Sequence, residues 1–131
     1  MPNTLAQIAL VIRDYDEAIE FYTKKLGFVL LEDTSLSTTK RWVRVAPSTS
    51  GSCGLLLAKA ASPEQESRIG NQSGGRVFLF MHTDNFQREY NRLKAEGVEF
   101  VREPAVESYG TVAVFRDLYG NLWDLIEPVT V

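Results

Sequence analysis

Residues 8–28 read IALVIRDYDEAIEFYTKKLGF, and this stretch predicts a buried strand followed by an amphipathic helix. The apolar run from Leu5 to Ile12 suits a strand that is buried on both faces. Asp14 follows as a candidate N-cap, and apolar residues then recur at spacings of three and four, as one face of a helix requires. Gly27 suits the left-handed position that ends many helices.

Three further strand-like runs complete the first half of the chain, and the whole order then repeats after about 70 residues. The second copy has Asp84 where the first has Asp14, and Gly97 where the first has Gly27. In the first half the predicted strands after the helix are Phe28–Glu32, Arg41–Ala46 and Gly54–Lys59. The second half opens with the predicted strand Val77–His82, and the strands after its helix are Val98–Arg102, Thr111–Arg116 and Leu122–Ile126.

This repeat predicts an α+β domain of two βαβββ modules, whose sheets form a curved surface around a pocket. We assign residues 1–60 to the first module, 61–75 to a polar connector and 76–131 to the second, all within one domain of residues 1–131. The alternative is an α+β sandwich of the same elements without a hollow.

The composition narrows the class of partner. The net charge of −3 comes from mixed acidic and basic residues, so the chain predicts neither nucleic acid nor membrane as a partner. Cys53 is the only cysteine, which excludes an internal disulfide and is more typical of a small buried residue than of a nucleophile. The start lacks the pattern of a signal peptide, and we therefore expect a cytoplasmic protein.

Three stretches resemble the vicinal oxygen chelate superfamily of glyoxalases, bleomycin-resistance proteins and extradiol dioxygenases. Residues 8–28 match its opening strand, helix and "FY…LGF" signature, and residues 77–98 match the second opening strand and helix. Residues 117–127, DLYGNLWDLIE, are similar to its closing "DPDGN…E-L" turn and strand, with Leu118 and Tyr119 in place of the usual Pro-Asp. The resemblance implies the fold but not one reaction, because the superfamily includes isomerases, dioxygenases, thiol transferases and metal-free drug-binding proteins.

The resemblance also implies four metal-ligand positions, which fall on Gln7, Leu56, Phe78 and Asp124. Leu56 and Phe78 cannot ligate a metal, so we expect no tightly bound metal or other cofactor, while weak binding of a divalent ion by Gln7 and Asp124 stays open. His82, the only histidine, fits a strand-end or rim residue better than a ligand or base.

Strand alternation predicts which side chains face the pocket. The expected surface is mainly apolar with a few polar groups, as small-ligand sites are, and the alternative is a filled core without a cavity. The pocket-facing residues are Leu5, Gln7, Ala9 and Val11 in the first strand, Phe78, Phe80 and His82 in the fifth, and Leu122, Asp124 and Ile126 in the last.

Asp124 is the polar residue with the clearest chemical consequence. A carboxylate in an apolar strand is desolvated, which would raise its pKa and suit a general base. An ion pair with Arg44 or Arg116 would instead make Asp124 structural, and the sequence leaves both possibilities open. Gln7 is its expected neighbour.

These residues are compatible with two alternative functions. The first is a metal-free or weakly metal-dependent protein that binds a small organic molecule in a mainly apolar pocket, and we expect a homodimer. The alternative is a glyoxalase-like lyase or isomerase, in which Asp124 acts as base with a divalent ion and Gln7 positions a carbonyl. Trp42 is left without an assigned face. The predicted substrate-binding residues are Gln7, Leu56, Phe78, Phe80, His82, Ser108, Tyr109 and Asp124, of which Gln7 and Asp124 are also the catalytic candidates.

Overall fold

The computed structural model of the chain describes residues 2–50 and 53–129, which fall into two compact units divided between Ile69 and Gly70. Each unit has the predicted order β-α-β-β-β. The first contains β1 Gln7–Ile12, α1 Tyr15–Glu20, β2 Val29–Ser35, β3 Arg41–Ala46, β4 Gly54–Lys59 and a short helix, α2 Pro63–Glu66. The second contains β5 Val77–His82, α3 Phe86–Ala95, β6 Phe100–Glu107, β7 Gly110–Arg116 and β8 Leu122–Pro128.

The two sheets have the same topology. Their strand orders are β1-β4-β3-β2 and β5-β8-β7-β6, with the first and last strand of each unit parallel and the other pairs antiparallel. The α+β prediction of two βαβββ modules is therefore confirmed. None of the helices within the described ranges has the length and apolar character needed to cross a membrane.

The first helix begins and ends as the sequence predicts. Asp14 is extended and its carboxylate accepts a hydrogen bond from the Glu17 N–H at 2.9 Å, while Gly27 takes a left-handed φ of 78°. The chain between them continues α1 as a π-helical segment over Phe21–Lys25, in which the Leu26 N–H bonds to the carbonyl of Phe21.

The second helix corrects a predicted cap. Asn85, not Asp84, is the N-cap of α3, and its side chain accepts a hydrogen bond from the Arg88 N–H at 3.1 Å. Asp84 lies one residue earlier and pairs with the Arg88 guanidinium at the surface. Both residue types cap helices well, so local sequence alone does not decide between them.

Several strand boundaries and the connector also differ from the predictions. β1 begins at Gln7 and leaves Leu5 exposed, and β6 continues to Glu107 instead of ending at Arg102. The predicted connector contains α2, which starts at a Ser62 cap with Pro63 in its first turn. β6 extends because its backbone keeps pairing with β7 as far as the turn, although its exposed side chains follow no apolar alternation.

Each sheet buries one face under the helix of its own unit. In the first sheet Leu10, Ile12 and Leu57 are fully buried, whereas Gln7 and Ala9 on the alternate positions are not. In the second sheet Phe115 and Leu125 are fully buried in the same way. The predicted alternation of β1 is therefore confirmed, and we call the opposite side of each sheet its helix-free face.

Candidate functional site

A single row of side chains crosses the helix-free face of the second sheet. The register places Phe80 of β5 beside Asp124 of β8, Asp124 beside Val114 of β7, and Val114 beside Arg102 of β6. Since directly opposed residues share a face, an aromatic ring, a carboxylate, an aliphatic group and a guanidinium lie in line.

This row forms the floor of a concavity of about 440 Å³. Asp124 is half-buried in it, and burial raises the pKa of its carboxyl, as one of the two open possibilities required, while the positive charge of Arg102 opposes the rise. Within the second unit Arg116 lies near Glu99, and Arg44 bonds to Gln7 and Glu32 of the first unit, while an ion pair of either arginine with Asp124 stays an open alternative. The other lining residues are Gly75, Arg76, Val77, Val101 and Leu122.

One irregularity in β5 corrects the predicted facing of Phe78. Val77 pairs with Leu122 and Leu79 with Trp123, so β5 carries one extra residue at this point. The extra residue breaks the alternation, and Val77 instead of Phe78 shares the concavity with Phe80. Whether Phe78 touches a ligand stays a prediction.

On the first sheet the equivalent row contains a polar network. Ala9, Leu56, Arg44 and Glu32 oppose one another across the four strands, and Gln7 lies two residues before Ala9 on the same face. The Arg44 guanidinium donates to the Gln7 side-chain oxygen at 2.9 Å and to Glu32 at 3.4 Å. Because arginine can only donate, this bond identifies the Gln7 atom beside Arg44 as the amide oxygen, and the Gln7 NH₂ group remains as a donor.

The ligand positions implied by the family resemblance do not fit a resident metal. Leu56 is apolar, the β5 register replaces Phe78 by Val77, and the Gln7 oxygen bonds to a cation. Among residues 2–50 and 53–129, no group of three or more His, Cys, Asp or Glu side chains is arranged to hold a metal. Asp124 would be left as the one carboxylate ligand among these positions. A metal held by it alone would bind more weakly than one held by the three protein ligands typical of catalytic sites.

A second cleft, of about 540 Å³, lies within the first unit. Trp42 lines it beside Leu56, so the unassigned tryptophan lies on the helix-free face, two residues from Arg44. Arg41 lies over the Tyr15 ring and forms two hydrogen bonds to Asp33, which holds the pKa of that carboxyl below its usual value. The Arg41 guanidinium is thus held in place by Tyr15 and Asp33.

The remaining predicted residues lie apart from the concavity of Asp124. His82 is exposed at the end of β5, and Ser108 and Tyr109 form the exposed turn before β7. Four residues of strand separate Gly110 from Val114, which is roughly 13 Å. The structure brings Phe80 together with Asp124, and Gln7 near Leu56 on one face; the pairing of Gln7 with Asp124 stays a prediction.

Sequence reasoning missed both charged side chains that line the concavity beside Asp124, Arg76 and Arg102. The repeat contains a signal for Arg102. In the first sheet Glu32 pairs with Arg44, and the residues about 70 positions later, Arg102 and Val114, pair in the same way in the second sheet. Arg76 precedes a strand and carries no comparable signal.

Comparison with known proteins agrees with this architecture. Residues 4–125 match the model of the Glyoxalase/Bleomycin resistance protein/Dioxygenase superfamily. An uncharacterized protein of Shewanella frigidimarina is 58% identical over 97% of this chain and 95% of its own length. The crystal structure of UcmS2 is 32% identical, with a TM-score of 0.83 over 97% of this chain and 99% of its own.

A further solved structure is that of TnmS3, described as an antibiotic binding protein from Streptomyces sp. CB03234. It is 26% identical, with a TM-score of 0.78 over 98% of each chain. The fold, the family model and these relatives agree, and the chain belongs to the Glyoxalase/Bleomycin resistance protein/Dioxygenase superfamily.

Proposed function

We propose that this protein binds a small, mostly apolar organic molecule without a metal, on the helix-free face of the β5–β8 sheet. The observation that carries the proposal is the ring of Phe80, which is 62% exposed and lies directly beside the half-buried Asp124. A ligand that covers an exposed aromatic ring in a concavity removes apolar surface from water, which makes binding more favourable. The structural similarity to TnmS3, an antibiotic binding protein, supports the same class of function.

The concavity offers both parts of a small-ligand site. Phe80, Val77, Val114 and Leu122 supply apolar surface, and Asp124 supplies a polar handle. The Asp124 carboxylate accepts no hydrogen bond from another side chain in the described part of the protein, so its acceptor capacity is available to a ligand. We further propose that Gln7 contributes to orienting the ligand through its free NH₂ group.

A thermal-shift screen of small organic molecules and divalent metals, on wild type and on Asp124→Asn, tests this function. A bound ligand raises the melting temperature, because it binds only the native state. Loss of a charged hydrogen bond is expected to weaken the best organic ligand by about 1.5–3 kcal/mol in the variant. We expect no metal to raise the melting temperature as strongly as that ligand does.

The same variant provides its own control for folding. Burial raises the pKa of Asp124, so the folded state loses stability as pH rises from the unfolded pKa to the folded one. The asparagine side chain that Asp124→Asn introduces cannot ionise, so at neutral pH the free energy of unfolding of the variant should equal or exceed that of wild type. A ligand that binds wild type and Asp124→Asn equally well would contradict the role of Asp124.

The second candidate is a glyoxalase-like isomerase or lyase with Asp124 as general base. The raised pKa of Asp124 favours it, because such a carboxylate takes a proton more readily near neutral pH. Gln7 would donate its NH₂ to a substrate carbonyl. Protein-dependent exchange of a ligand's α-proton with deuterated solvent, lost in Asp124→Asn, would favour this candidate over simple binding.

We also propose a cytoplasmic homodimer. Related domains commonly pair, and a single cysteine suits a reducing compartment. Light scattering or solution X-ray scattering should give twice the chain mass of 14.7 kDa. A monomeric mass at micromolar concentration would contradict the dimer.

A further inference from the structure

Arg76 and Arg102 line the same concavity, and neither has a carboxylate within ion-pair distance in the described ranges. Carboxylates lie within 4.0 Å of six other arginines, Arg13, Arg41, Arg44, Arg88, Arg92 and Arg116. Arg76 and Arg102 have no side-chain hydrogen bond and no ion pair to any residue in ranges 2–50 and 53–129. Both nevertheless lie around the floor that Phe80 and Asp124 form.

The position of these arginines suits a ligand that spans the sheet. Arg76 immediately precedes β5 and Arg102 belongs to β6, and these are the two outer strands of the sheet. Three strand spacings separate them, or roughly 14 Å between backbones, so two long side chains enclose the apolar floor from opposite edges. Arginine binds carboxylate, sulfonate and phosphate groups through its planar donors.

The charge balance of the concavity is positive. Two guanidinium groups face one carboxylate, Asp124, and burial disfavours the charge of that carboxylate. The other lining side chains are apolar, so nothing on the floor offsets the remaining positive charge. An anionic ligand would be attracted and a cationic one repelled.

We propose that the ligand is an anionic aromatic compound, whose ring lies on Phe80 and whose acidic group binds Arg102 and Arg76. This inference rests on the proposed function, which it narrows from small apolar molecules to organic acids. Asp124 then accepts a hydrogen bond from a donor elsewhere on the ligand.

A matched pair of fluorescent probes tests the inference. 1-Anilinonaphthalene-8-sulfonate and N-phenyl-1-naphthylamine share the same ring system, but only the first carries a sulfonate. We expect wild type to bind both and to favour the sulfonate, and Arg102→Gln to weaken the sulfonate by about tenfold with little effect on the neutral probe. Arg76→Gln should act in the same direction, and added salt should weaken only the sulfonate.

Arg116→Gln is the control, because it removes the same charge from an exposed arginine on β7 outside the concavity. If Arg102→Gln and Arg116→Gln weaken the sulfonate equally, the effect is general electrostatics and the inference is wrong. If wild type binds the neutral probe as tightly as the sulfonate, the inference is again wrong while the proposed apolar site survives. If wild type binds neither probe, the proposed function fails as well. Phe80→Ala should weaken both probes, which localises them to this face.

Discussion

Asp117→Ala is expected to lower the free energy of unfolding by about 3 kcal/mol, because it removes the centre of a buried hydrogen-bond network. Asp117 is 5% exposed, in the turn between β7 and β8. One carboxylate oxygen accepts the backbone N–H groups of Tyr119, Gly120 and Asn121 at 2.9–3.0 Å, and the other accepts the Asn121 side-chain NH₂ at 2.9 Å. Urea unfolding followed by circular dichroism measures the loss.

The matched control is Asp84→Ala, which removes an aspartate whose side chain is 90% exposed and whose ion pair with Arg88 lies at the surface. Exposed pairs contribute little, so we expect a change below about 0.5 kcal/mol. Equal losses for the two variants would show that the Asp117 network does not stabilise the turn. This turn leads directly into β8, so its loss would also displace Asp124.

Gly110→Ala is expected to cost about 2–3 kcal/mol, because an added methyl group has no space between β7 and β8. A Cβ at this position would lie 2.4 Å from the Glu127 carbonyl oxygen and 3.1 Å from the Cα of Pro128. Glu127 cannot move away freely, since its side chain accepts the Phe86 N–H at 2.7 Å at the start of α3. The two strands would have to separate, and the same unfolding measurement reports the cost.

Gly74→Ala separates this clash from the cost of the backbone conformation. Gly74 has a φ of 70° but no atom within 4 Å of the added Cβ, so its substitution costs only the conformational penalty of about 1 kcal/mol. A loss at Gly110 no larger than that at Gly74 would mean that the β7–β8 contact relaxes at little cost. Gly110 therefore has a packing role, whereas Ser108 and Tyr109 before it are exposed.

Local sequence patterns determined most of the fold. Strand alternation in β1, the Asp14 cap and the left-handed Gly27 all depend on residues close together in the chain, and all three are confirmed. The repeat of these signals predicted two equal modules. For Asp124 the sequence left two outcomes open, a pKa raised by desolvation or an ion pair with an arginine, and in the structure burial raises the pKa of this carboxyl.

Strand register decided the rest. Val77 and Phe78 are both apolar, so the extra residue that turns Val77 toward the concavity leaves no trace in the hydrophobic pattern. Arg102 belongs to an exposed outer strand, and only its pairing with Val114 places it in the row of Asp124. Which side chains surround Asp124 thus depends on residues distant in sequence, whose alignment is set by backbone pairing across the whole sheet and not by local residue preference.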